Sequence, residues 1–159
     1  MIDGYWLATH RADPRVIALY RRHYSVKNHR ANWFCGVTGP GESMVLLTQD
    51  CDALFVWRKR IAEALMANGY TDGQGGIGCS VFRNESPILS SDLIREACAL
   101  AWQRWPDERL FTYVEDGKVR SSNPGYCFQV AGWRKCGRNK DGRLTILEIL
   151  PSWVQSEAA

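Results

Sequence analysis

Asn123-Pro124-Gly125-Tyr126-Cys127-Phe128-Gln129-Val130-Ala131-Gly132-Trp133 follows an apolar run ending near Val114 and precedes a basic hairpin that closes on Leu147-Glu148. Asparagine suits a helix N-cap because its side-chain oxygen accepts from an otherwise orphaned N–H, and proline suits the first helical position because its missing N–H is not needed there. The stretch therefore predicts a short apolar helix capped by Asn123, opened by Pro124 and stopped by Gly132. Tyr126 falls in its first turn, at a strand end, where a phenol faces either a cleft or the core.

Working outward, Asp13-Pro14 followed by Val16, Ile17, Tyr20 and Tyr24 predicts an amphipathic helix ending near Ser25. Residues 28–41 form a loop. The β-rich runs 44–48 and 53–58 around Gln49-Asp50-Cys51-Asp52 predict an antiparallel hairpin. A short helix over 61–68 and a Gly-rich connector over 71–76 lead to a strand at 78–83. Leu93, Ile94, Ala97, Leu100, Ala101 and Trp105 recur at helical spacing, capped by Ser90 or Ser91 and stopped by Pro106. Residues 110–115 form a buried strand, and Asp141-Gly142 turns a final hairpin between 133–138 and 144–150. The expected fold class is α+β: one domain over 1–159, with a mixed, mostly antiparallel central sheet and helices on both faces.

The chain has 159 residues, 45% of them apolar, enough for a core that needs no metal or disulfide staple. No apolar run approaches the roughly 20 residues of a membrane span, so a soluble, cytoplasmic protein without a membrane partner is expected. The six cysteines include no C-x-x-C pair, and several lie in apolar runs, which favours buried thiols over a disulfide framework. Cys79 and Cys127 are the nucleophile candidates, although sequence pairs neither with a base.

Net charge is +3 but unevenly distributed. Between Arg15 and Gly41 the charged residues are Arg15, Arg21, Arg22, Lys27 and Arg30 with no acid, Arg58-Lys59-Arg60 forms a second cluster, and Lys118, Arg120, Arg134, Lys135, Arg138 and Lys140 form a third acid-free set. Converging in space, they would make a basic face for a polyanion; left apart, they are solvated surface charge.

Three stretches, in order, carry a family likeness: Arg22-His23-Tyr24-Ser25, Phe82-Arg83-Asn84-Glu85, and 126–133 with 142–148. With them the chain resembles the phage Mu Mom-like DNA modification proteins, a divergent GNAT-like acyltransferase family. The resemblance implies a GNAT-like fold and a transferase that converts the exocyclic N6 amine of adenine in double-stranded phage DNA to a carbamoylmethylamino group, shielding the genome from restriction in the bacterial host. The alternatives are a conventional acyl-CoA-dependent N-acetyltransferase acting on a small amine or protein, and a non-catalytic phage protein on a GNAT scaffold. GNAT acetyltransferases carry a Q/R-x-x-G-x-G/A loop for the cofactor pyrophosphate. The corresponding residues 84–91 here contain no Gly. The donor is therefore left open between acyl-CoA and another acyl or glycyl donor.

Chemistry on a paired adenine requires flipping, stacking and edge recognition. Trp33, Phe34, Tyr24, Tyr126 and Trp133 are candidate stacking rings, and Asn84 and Asn123 candidate hydrogen-bonding partners for the base. The amine lone pair is delocalised, so His23, or Glu85 if burial raises its pKa, is the candidate base, with His23 also the candidate metal ligand. Arg83 suits a phosphate or an oxyanion, and the resemblance gives Tyr126 the leaving-group proton. Ser25, Ser121 and Ser122 are auxiliary donors. Arg21, Arg22, Lys27, Arg30, Arg58, Lys59 and Arg120, with Trp33, are the expected DNA contacts.

Overall fold

Two runs of β-branched and aromatic residues, Met44 to Thr48 and Ala53 to Trp57, favour a pleated, half-buried surface. In the computed structural model they form an antiparallel hairpin of Glu42–Thr48 (β2) and Ala53–Lys59 (β3). Thr48 Oγ1 closes the turn by accepting from the N–H groups of Asp52 and Ala53 at 3.1 and 3.0 Å. The structure describes residues 4–22, 41–59, 75–115, 125–139 and 142–158.

Seven strands form one sheet. Trp6–Thr9 (β1), β2, β3 and Ile77–Asn84 (β4) make an antiparallel meander, and Leu110–Glu115 (β5), Leu144–Ile149 (β7) and Arg134–Arg138 (β6) continue it in that spatial order. All neighbours are antiparallel except β4 and β5. Four helices are described: Pro14–Arg21 (α1), Ser90–Arg104 (α2), Tyr126–Val130 (α3) and Pro151–Ala158 (α4). None is long and apolar enough to cross a membrane.

Successive strand side chains point to opposite faces, and β3 divides its apolar run accordingly. Ala53, Phe55 and Trp57 pack with Leu93, Ile94, Ala97 and Ala101 of α2, with Phe128 of α3 and with Trp133. Leu54 and Val56 pack with Val16 and Leu19 of α1. Tryptophan N–H groups pin α2 to the sheet, since Trp6 donates to the Leu93 carbonyl at 2.8 Å and Trp57 to that of Ala97 at 2.9 Å. These two buried indoles thus satisfy their one donor while contributing their apolar area.

Helix boundaries depart from the sequence expectation where a cap is decided by geometry. Asp13 caps α1 as predicted, accepting from Arg15 N at 2.9 Å, with the Arg15 guanidinium holding its carboxyl well below the usual carboxylate range. That helix stops at Arg21 rather than near Ser25. The N-cap of α2 is Leu89, without a side-chain cap, because Ser90 Oγ accepts from Asn84 and Ser91 is buried. The helix predicted to begin at Pro124 begins at Tyr126, with Gly125 in the left-handed region as its N-cap. Neither β1 nor α4 follows from the sequence pattern. β1 is only four residues long and depends on α2, whose Glu96 carboxylate accepts from the N–H groups of Tyr5 and Trp6 at 3.0 and 2.8 Å. The helix expected over 61–68 lies outside the described residues.

Candidate functional site

β4 and β5 run parallel for only three rungs, Ile77 opposite Leu110, Gly78 opposite Phe111 and Cys79 opposite Thr112. On its other side β4 carries an extra residue. Val56 faces Val81 and Trp57 faces Cys79, so Ser80 is a bulge that increases local twist and re-aims the strand. Past the bulge the two strands part, and a cavity of about 180 Å³ opens between residues 79–82 and 112–114. Gly125, Cys127 and Phe128 at the start of α3 complete its wall.

The wall is held by close packing. Phe128 meets Phe82 and Trp133 edge to face at ring separations of 5.8 and 4.9 Å. Gly125 lies at φ +80°, and a Cβ there would come within 2.6 Å of Leu147 Cδ1. Only glycine meets both demands. At the other end of α3, Arg95 of α2 donates to the Val130 carbonyl at 2.8 Å. Tyr126, between two lining residues, is 61% exposed. It reaches solvent at the edge of the wall.

The lining is largely apolar, with Ser80, Thr112 and Tyr113 supplying hydroxyls. Thr112 Oγ1 donates to the Cys79 carbonyl at 3.3 Å. Burial pushes the Cys79 and Cys127 thiols up, which keeps both protonated at neutral pH and argues against either as a nucleophile. No group of three or more metal-ligating side chains occurs among the described residues.

The Arg-Asn-Glu run lies elsewhere. Val81 and Arg83 point to the face of α1, whereas Phe82 and Phe128 pack on the other. Arg83 donates to the Arg22 carbonyl at the end of α1 at 2.8 Å and to Glu85 at 2.7 Å, and Arg22 grips both Glu85 oxygens at 2.7 and 3.0 Å. Hydrogen bonds from Arg22 and Arg83 hold the Glu85 carboxyl down at about 2, the opposite of what a general base at neutral pH requires. Glu85 is therefore corrected from candidate base to ionic anchor.

Asn84 is likewise committed. Its Nδ2 donates to the Ile88 carbonyl and Ser90 Oγ at 2.8 and 2.9 Å, while its Oδ1 accepts from Ser86 N and Oγ at 2.9 and 2.5 Å. It organises the turn before α2 and keeps no amide edge for a base. Ser86 Oγ also accepts from Ile88 N at 3.1 Å, so this turn spends its own main-chain donors internally.

Among the described residues the basic segments do not form one patch. Arg21 and Arg22 end α1 beside the C-terminal end of β4, whereas Arg58 and Lys59 sit at the other end of the sheet, where Arg58 faces Gly78 and Lys59 pairs with Glu108 at 3.8 Å. β6, with Arg134, Lys135 and Arg138, lies three strands beyond β4. Trp133 is buried, stacked at 6.2 Å on Trp57, and cannot receive a base. His23, Tyr24, Ser25, Lys27, Arg30, Trp33, Phe34, Arg120, Ser121, Ser122 and Asn123 lie outside the described residues, and with His23 so do one of the two candidate bases and the candidate metal ligand.

Sequence reading misses Ser80, Thr112, Gly125, Cys127 as a lining thiol and Phe128. Gly125 carries the one available signal, a glycine beside the proposed cap. Comparison with known proteins finds no family model, curated protein or solved structure that matches this chain.

Proposed function

We propose that the chain is a GNAT-like transferase that modifies the exocyclic N6 amine of adenine in double-stranded DNA, with its donor held between β4 and β5. The observation that carries this reading is the cavity past the Ser80 bulge. There, main-chain groups of two diverging strands face each other across a gap too wide for pairing, which suits an extended donor bearing amides. The likeness at 82–85 and 126–133 supplies the acceptor, adenine in phage DNA, and the carbamoylmethylation-type product.

Within this reading Tyr126 protonates the leaving group, because it is the exposed phenol beside the wall of the gap. Arg83 and Glu85 brace α1 against β4 and take no part in the chemistry. The self-satisfied turn at 84–88 favours a donor that needs no diphosphate cradle there over acetyl-CoA.

Expression in a bacterial host, digestion of plasmid DNA to nucleosides and mass analysis tests the proposal. An adenosine adduct is expected from the wild type and none from Ser80→Phe, which fills the gap from an exposed position. Unmodified nucleosides from a folded, well-expressed wild type defeat it. Calorimetric binding of acetyl-CoA that is indifferent to DNA turns the assignment toward a conventional N-acetyltransferase.

A further inference from the structure

Arg109, at the entry to β5, has a guanidinium whose three nitrogens are all engaged. Nε donates to Glu148 Oε1 of β7 at 2.6 Å, Nη1 to the Gly75 carbonyl before β4 at 2.9 Å, and Nη2 to Cys136 Sγ of β6 at 3.6 Å. Guanidinium donors lie in the plane of the group, so its edges are committed and its flat faces remain. One face lies toward the Phe111 ring, whose centroid is 5.1 Å from Cζ. The other is turned to an open pocket of about 680 Å³ that Arg109 lines with Glu108, Ile146, Glu148 and the glycines 75, 76 and 137.

The glycines keep this hollow bare. A Cβ on Gly75 or Gly137 would meet no atom within 4 Å, whereas one on Gly76, at φ +106°, would strike the Arg109 carbonyl. Gly137 follows Cys136, the extra residue of a β6 bulge, and faces Ile146 across the ladder. Phe111 and Ile146 alternate with Leu110 and Leu147, which pack in the core under α2, so the pocket opens on the other face of the sheet. It shares no lining residue with the gap past the Ser80 bulge. Arginine–carboxylate pairs are commonly two-pronged. Here Nη2 is turned to Cys136 instead, so Arg109 takes Oε1 alone and Glu148 Oε2 is left for the pocket. Glu108 brings a second carboxylate, with Lys59 at 3.8 Å.

A flat, fixed cation beside a carboxylate suits a planar ring that carries hydrogen-bond donors on its edge. We infer that this pocket binds the guanine base of a free nucleotide, stacked on Arg109 with its N1–H and 2-amino group donating to Glu148. An ionised carboxylate only accepts. Guanine presents two adjacent donors to it, whereas adenine and cytosine set a ring acceptor beside their amino group, which a carboxylate repels. Ribose and phosphate leave by the open side and stay hydrated near Arg138, whose guanidinium donates to the Gly142 carbonyl at 3.1 Å. The inference stands apart from the transferase reading, which uses the gap between β4 and β5. The competing reading is that Arg109 only ties three strands together above a surface hollow.

Isothermal titration calorimetry of the full chain with guanosine, adenosine and cytidine monophosphates decides between them. The guanine nucleotide is expected to bind about tenfold or more tightly than the other two. Gly137→Trp puts a ring into the hollow from an exposed position and should weaken that binding about tenfold or more. Arg109→Lys keeps the charge without the flat face and should weaken it as much, about tenfold. Glu148→Gln should bring the guanine and adenine nucleotides to similar affinities. Near-UV circular dichroism matching the wild type establishes that each variant is folded, and Gly137→Trp carries the test if Arg109→Lys does not fold. No binding of the guanine nucleotide by the wild type at about 1 mM overturns the inference. Equal affinity for all three nucleotides does so too, since it marks a site for phosphate alone. Undiminished binding by folded Gly137→Trp would place the nucleotide elsewhere and sink the pocket.

Discussion

The two halves of β4 differ in what their polar groups have to do. At its C-terminal end Arg83, Asn84 and Glu85 saturate one another and their neighbours, with hydrogen bonds to α1, to the 86–90 turn and to the Asp52 carbonyl. Around the Ser80 bulge a strand edge is left without its parallel partner and faces an open, mostly apolar gap. By residue type alone, the charged corner suggests chemistry and the bulge suggests scaffold. The geometry reverses this, because a cluster of opposite charges in reach of one another completes itself, whereas a ladder interrupted by one extra residue leaves main-chain groups facing open space.

The hardest way to break the contrast is to remove the wall of the gap. Phe128→Ala deletes a buried ring held between Phe82 and Trp133 and should cost about 3–5 kcal/mol, measured by chemical denaturation. Gly125→Ala adds a left-handed alanine and a close approach to Leu147, so a loss of about 2–4 kcal/mol is expected by the same method. Tyr126→Phe sharpens the comparison rather than breaking it. The phenol is exposed, so stability should stay within about 0.5 kcal/mol while adduct formation falls about 100-fold. A matching loss in Arg83→Ala, with the fold intact, would return the chemistry to the corner.

The smallest effect belongs to the corner itself. Glu85 is depressed from 4.5 to about 2 in the folded chain, so its stabilising contribution is complete above about pH 4.5 and disappears as pH falls toward about 2. Thermal melts of the wild type and Glu85→Gln should therefore differ slightly at pH 7 and converge near pH 2. Their failure to converge would mean that the ion pairs are not formed in solution.

Strand and helix periodicity is legible wherever one face is buried: 42–48, 53–59, 77–84, 90–104 and 110–115 follow from their apolar spacing, the final hairpin from its Asp141-Gly142 turn signal, and a mixed, mostly antiparallel α+β sheet from their order. What is not legible depends on single-residue phase. Ser80 and Cys136 are bulges because of how neighbouring strands register, and nothing in their own chemistry announces it. The cap of α3 passes from Asn123 to Gly125 because a contact distant in sequence, with Leu147, admits no side chain. Arg83 takes its face from the packing of Val81 and Phe82, which only the folded sheet defines.

The three-rung seam between β4 and β5 joins a four-strand leaf to a three-strand leaf. Most of the sheet's hydrogen bonds lie within one leaf or the other, so the molecule is weakest in tension along this line. A donor bridging the strands there would act as an added rung. Occupancy would then stiffen the joint, and amide exchange at residues 80–82 and 113–114 would slow as the site fills.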